Sequence, residues 1–170
     1  MKKLTAMILM LALVLAMTAC GGEAAEPQVQ VEITRATEAP DQGYSLEFQG
    51  LNLVPGDAFD AAKLPEAQSV YEVPSCAIEG TDNVYSYGGL EVTAFNDGSG
   101  EMIYSLYLMD ASVKTDEGLA VGDAEDRITE IYGQEHQGAE NEYLYTRGGT
   151  ELRVLVQDGQ VLSIELRKCA

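Results

Sequence analysis

VPGDAFD (residues 54–60) and AVGDAED (residues 120–126) write nearly the same turn twice in one chain. A Gly-Asp pair with an acid three residues on reads as a helix start. Asp57 and Asp123 would accept from the orphan N–H groups as N-caps. Asp60 and Asp126 would add negative charge where the helix dipole favours it. The second helix is expected over about residues 124–132, burying Ile128, Ile131 and Tyr132. The first starts near Ala58 and must break or restart at Pro65.

Working outward, further segments pair. Val70-Tyr71 matches Ile131-Tyr132, and Tyr85-Ser86-Tyr87 matches Tyr143-Leu144-Tyr145, at an offset of 58 residues in the latter case. Leu90-Glu91-Val92 matches Leu152-Arg153-Val154 at 62 residues, and Tyr104 matches Leu162 at 58 again. The length changes fall in connections: Gly88-Gly89 then a six-residue loop from Asn96 to Glu101, against a six-residue loop from Thr146 to Glu151 then Asp158-Gly159. LRVLVQDGQVLSIELR (residues 152–167) alternates about a two-residue Asp-Gly turn, the pattern of a hairpin. Its inward set is Leu152, Val154, Val156, Leu162, Ile164 and Leu166; the matching set is Leu90, Val92, Ala94, Tyr104, Leu106 and Leu108. Tyr85 should oppose Val92 and Tyr87 oppose Leu90. The expected fold is α+β: two tandem repeats of helix plus three-stranded antiparallel meander, about residues 51–109 and 119–167, with the helices on one face of the sheet.

The chain opens with Lys2 and Lys3, then an apolar run to Met17. That run is shorter than the roughly 20 residues of a membrane span and has the form of a secretory signal. It ends in Met17-Thr18-Ala19-Cys20-Gly21, which resembles the lipobox of bacterial lipoproteins. The resemblance implies cleavage of residues 1–19 and attachment of diacylglycerol to Cys20, which anchors the protein to the lipid bilayer on the extracytoplasmic face of the cell membrane. Residues 20–43, rich in Glu, Ala, Gln, Thr and Pro, read as a flexible linker. Residues 44–170 have globular composition. With Cys20 taken by the anchor, Cys76 and Cys169 are disulfide candidates in an oxidising compartment.

The Gly-Asp helix start, a short helix ending in Tyr132-Gly133 and a meander ending in an Asp-Gly hairpin resemble the β-lactamase-inhibitor-protein architecture. They are also similar to the small lipoprotein subunit of the outer-membrane barrel-assembly machinery. Those folds act by binding protein. The segment PSCAIEGTDNVYSYGGLEVTAF (residues 74–95) resembles uncharacterised lipoproteins of Gram-positive bacteria, which implies address and not activity. No contact residue of either family transfers to a position here.

The formal charge is −18, and −20 once residues 1–19 with their two lysines are gone. A surface this acidic repels nucleic acid and anionic lipid. His136, the single histidine, sits in a polar loop and reads as a surface residue. FNDGSGEM (residues 95–102) offers Asn96, Asp97, Ser99 and Glu101 as oxygen donors, but lacks a calcium-loop spacing and reads as a hairpin loop. No catalytic residue, metal site or cofactor is assigned.

Strand alternation sends Phe95, Ile103, Tyr107, Leu144, Leu155 and Val161 to the face opposite the inward set. An antiparallel sheet with one wet face should be polar there, whereas this set mixes apolar anchors with charges, the composition of a protein-contact surface. The leading reading is therefore a non-enzymatic protein-binding or scaffold module. Two others stand beside it: an enzyme or accessory acting on cell-wall or extracellular polymer, and a small-ligand or metal-binding lipoprotein.

Overall fold

The computed structural model describes residues 42–75, 80–96 and 98–169. Residues 1–19, Cys20 and nearly all of the linker lie outside them, as do Cys76 and Asp97. The described chain is mostly β. A hairpin of β1 (Leu46–Phe48) and β2 (Leu51–Leu53) precedes β3 (Ser69–Pro74), β4 (Thr81–Ser86), β5 (Leu90–Asn96) and β6 (Glu101–Leu108). One helix, α1 (Asp126–Tyr132), then leads into β7 (Glu142–Arg147), β8 (Thr150–Gln157) and β9 (Gln160–Lys168). Strands β3 to β9 form one antiparallel sheet in the order β3-β4-β5-β6-β9-β8-β7. Two meanders thus lie side by side, joined where β6 meets β9 through four residue pairs, from Ser105 opposite Arg167 to Leu108 opposite Ile164.

This overturns the expected tandem repeat of helix plus meander. The first half has only a single 3-10 turn, Ala61–Lys63, where a helix was expected. Pro65 leaves too little chain for more, since it lacks an N–H and drives Leu64 out of the helical region to ψ 163. The first half also carries a strand without a counterpart. Val70 and Tyr71, matched in sequence to Ile131 and Tyr132 of α1, lie instead in β3, where β-branched and aromatic residues fit an extended backbone.

The twin Gly-Asp turns share a different task. Gly56 N–H donates to Ile103 O at 2.7 Å and Ile103 N–H to Asp57 O at 2.9 Å. Gly122 and Asp123 do the same to Val161, each bond at 2.8 Å. Each turn is therefore a clip that docks onto the first residues of β6 or β9. Gly56 and Gly122 sit at φ +100 and +89, a region costly for other residues. Asp123 does not cap α1: its Oδ2 accepts from Ala120 N–H at 2.9 Å, closing the turn behind it. The α1 N-cap is Glu125, without a side-chain cap bond. Asp60 does cap, accepting from Ala62 N–H at the 3-10 turn.

The alternation holds along most strands. Tyr85 opposes Val92 as expected. Leu90, Val92, Ala94, Leu106, Leu108, Leu152, Val154, Val156, Ile164 and Leu166 are all buried on one face. The two failures have one cause. The β5–β6 register slips past Tyr104, and the β8–β9 register slips past Leu162. Such bulges give one strand an extra residue and re-aim its side chains. Ile103 and Val161, expected outside, are 1% and 2% exposed in the core, while Leu162, expected inside, is 52% exposed. The β7–β8 connection also differs from the expected six-residue loop. Arg147 pairs with Thr150, and Gly148 and Gly149 at φ +55 and +77 make the tight two-residue turn that suits strand twist.

Leu46 and Leu53 of the β1–β2 hairpin, Phe59, Leu64, Val113, Leu119 and Ile128 of α1 lie over the buried face and complete the core. Each fully buried aliphatic side chain is worth roughly 1.5–3 kcal/mol. The chain enters this layer through a clamp on the β7–β8 turn. Tyr44 N–H donates to Thr150 Oγ1 at 2.6 Å, and the Arg147 guanidinium lies 4.2 Å from the centre of the Tyr44 ring. Arg147 is also ion-paired with Glu117, and Tyr132 Oη donates to the same carboxylate at 3.1 Å. Cys169 carries a free thiol; its expected disulfide partner, Cys76, lies outside the described residues.

Candidate functional site

Among the described residues the covering layer lies over one face of the seven-stranded sheet and no element lies over the other, the open face, on which Val84, Phe95, Ser105 and Ser163 are nonetheless buried. Register places Glu91, Tyr107, Glu165, Arg153 and Leu144 in one row across that open face. The next row carries Tyr71, Val84, Thr93, Ser105, Arg167 and Glu151. Charges dominate its β7–β9 half. Arg153 pairs with Glu142 and Arg167 with Glu151, and the hydrogen bond from Arg153 holds the Glu142 carboxyl below its ordinary pKa. Both pairs are partly exposed to solvent, where screening leaves an ion pair little weight in stability.

Aromatic exposure concentrates in the other half. Tyr71 is 45% exposed and Tyr107 38%. Glu91 stands directly opposite Tyr107 in the β5–β6 register, and its Oε1 accepts from Tyr71 Oη at 3.4 Å.

Of the six residues expected on this face, Tyr107 is exposed, and Leu144 and Leu155 are half-buried. Phe95 is on the face but 8% exposed, its ring edge-on to Tyr104 at 6.5 Å. Ile103 and Val161 are carried into the core by the two bulges. The structure therefore does not gather the six into one apolar patch. It substitutes Tyr71, which the sequence matched to Tyr132 of α1. The signal that could have found it is the alternation of SVYEVP, a strand pattern bounded by Gln68 and Ser75.

Two polar clusters lie elsewhere. Glu101 accepts from Asn83 Nδ2 at 2.6 Å and from Tyr85 Oη at 2.8 Å. Burial first, and then the hydrogen bond to Glu101, push the Tyr85 hydroxyl up to about 12. Glu101, offered by sequence as an oxygen donor for a cation, is therefore engaged in a tyrosine clamp. Asn96 is used locally, its Oδ1 accepting from Gly98 N–H at 2.8 Å. The second cluster is the Tyr44 clamp, where burial, and then the Glu117 carboxylate, raise the Tyr132 hydroxyl above its ordinary pKa. His136 is exposed and stacks 4.4 Å from the Tyr143 ring. Among the described residues, no group of three or more His, Cys, Asp or Glu is arranged to hold a metal, and no helix is long and apolar enough to cross a membrane.

No protein-family model, curated protein or solved structure matches the chain.

Proposed function

We propose that the chain is a non-enzymatic protein-binding module, held to the extracytoplasmic face of a cell membrane by a diacylated Cys20. The observation that carries the binding reading is the open sheet face, where Tyr71 and Tyr107 flank Glu91 with no covering element among the described residues. Tyrosine presents a large, stiff, amphipathic surface, which is why it is enriched at interface centres. The membrane reading is supported by the sequence up to Cys20.

Two experiments test it. Mass spectrometry of the membrane fraction should find a diacylated N-terminal Cys20; an unlipidated chain starting elsewhere overturns the anchor. Crosslinked partners captured from detergent-solubilised membranes should be lost with Tyr107→Ala, by roughly thirtyfold in affinity for a truncation costing about 2 kcal/mol, while the melting temperature is unchanged. Capture that is indifferent to Tyr71→Ala and Tyr107→Ala overturns the open face as the contact.

A further inference from the structure

The two edges of the sheet are treated differently. Along β7, residue Gln137 forms an antiparallel bridge with Leu144, exchanging bonds of 2.9 and 2.6 Å. Gly138 sits so tightly against that edge that a Cβ there would lie 2.3 Å from Glu142 O. Strand β3, at the opposite edge, pairs only with β4 among the described residues. Its phase follows from Ser75 N–H donating to Gly80 O at 3.0 Å. In an antiparallel ladder hydrogen-bonded pairs alternate, so Ser69, Tyr71 and Val73 turn their N–H groups to β4. Val70 and Glu72 turn theirs outward, and Pro74, in the same phase, has none. Val70 and Tyr71 are 55% and 45% exposed, and an exposed apolar edge strand is a template for another strand.

The strands of this half of the sheet carry charge of one sign. Residues 64–113, which contain all of β3 to β6, hold eight Asp or Glu and no Lys, Arg or His. The described arginines stand elsewhere: Arg127, Arg147, Arg153 and Arg167 are each paired with a glutamate. Glu72 is exposed in the strand itself, and Glu91 lies beneath Tyr71 on the open face.

From these observations we infer that β3 accepts an extended, Lys- or Arg-bearing peptide segment of a partner protein as an eighth strand. Backbone bonds to Val70 and Glu72 would give affinity. Apolar side chains beside Tyr71 on the open face, with basic ones beside Glu72 on the other face, would give specificity. A second copy of this chain fits poorly, because it brings the same negative charge to the edge. The inference deepens the binding reading above by naming the partner's chemistry and the edge it takes.

The test uses the full chain in detergent and three fluorescent octapeptides: alternating Lys-Val, alternating Glu-Val, and a Lys-Val peptide interrupted by two prolines. The alternating Lys-Val peptide should bind, more weakly at high salt, and the other two should not. Val70→Pro removes an outward donor while keeping every β3–β4 bond, so it should weaken binding about tenfold or more with an unchanged circular dichroism spectrum. Equal binding of both Lys-Val peptides, or binding unaffected by Val70→Pro, would show mere attraction to an acidic surface and overturn the inference. So would a dimer in sedimentation that Val70→Pro dissolves, which would give the edge to a second copy. If Val70→Pro keeps the membrane partners that Tyr107→Ala loses, the edge inference falls while the binding module stands.

Discussion

Exchanging which of two neighbouring residues is truncated separates the bulged sheet from a strictly alternating one. Alternation along β9 puts Leu162 in the core and Val161 outside; the bulge reverses them. Val161→Ala removes two methylene equivalents from a site 2% exposed. At about 0.8 kcal/mol per buried methylene, plus a cavity term, it should cost about 2 kcal/mol. Leu162→Ala, at a site 52% exposed, should fall within about 0.5 kcal/mol of wild type. The same inversion holds in β6, where Ile103→Ala should cost about 2–5 kcal/mol. The assay is urea unfolding followed by tyrosine fluorescence, since the chain has nine tyrosines and no tryptophan. With an m-value of about 2 kcal/mol/M, Val161→Ala should lower the midpoint by about 1 M and Leu162→Ala by under about 0.3 M. A larger loss for Leu162→Ala than for Val161→Ala would refute the bulge and restore simple alternation.

Three further outcomes are expected. Gly122→Ala, at φ +89, should destabilise by about 1–2 kcal/mol, although a Cβ there meets nothing; a neutral effect in thermal unfolding would show that the clip does not need the left-handed backbone. Burial holds the Tyr85 hydroxyl near 12, and a hydrogen bond to Glu125 holds Tyr143 near 12, against about 10 for an unfolded tyrosine. These raised values keep both tyrosines neutral in the fold, so the stability they supply is intact below pH 10 and lost as pH rises towards 12. Phenolate absorbance should then rise together with loss of circular dichroism, and full ionisation near pH 10 of a chain that stays folded would contradict it. Arg147→Lys should loosen the Tyr44 clamp, because an ammonium cannot stack on the ring and form a planar pair with Glu117 together. Hydrogen exchange at Tyr44 N–H should accelerate, and unchanged protection would show that Thr150 alone holds the entry.

What the sequence made legible is what two-residue periodicity encodes. Alternating runs such as Leu152, Val154 and Val156 carry their facing in the letters, and the Asp158-Gly159 and Gly88-Gly89 turns fix register locally. Ile128 was readable on α1 for the same reason, with a different period. Tyr104 and Leu162 were not, because a bulge leaves no local mark: both are apolar or aromatic and fit either face, and each slip lies beside a residue, Ile103 or Val161, whose backbone is bonded to a distant Gly-Asp turn. The Gly-Asp pairs misled because the residues that cap a helix also close a turn, and only the distant strand decides between them. For the open face, Tyr71 was obscured by its likeness to Tyr132; a two-residue match of Val-Tyr with Ile-Tyr cannot tell a strand from a helix.

The seam between β6 and β9 has a kinetic consequence. Every other pairing in the sheet joins strands adjacent along the chain, and most are closed by short turns, so each meander can zip from its own hairpins. The seam joins Ser105 to Arg167, residues 62 apart in the sequence, and its closure carries the entropy of the whole intervening chain. Assembly should therefore run as two locally formed half-sheets that meet late, with Leu106, Leu108, Ile164 and Leu166 meshing after the main barrier. Truncations of those side chains that act through cross-seam contacts should then speed unfolding far more than they slow folding. Separation of the half-sheets along those four residue pairs is then the expected first step of unfolding.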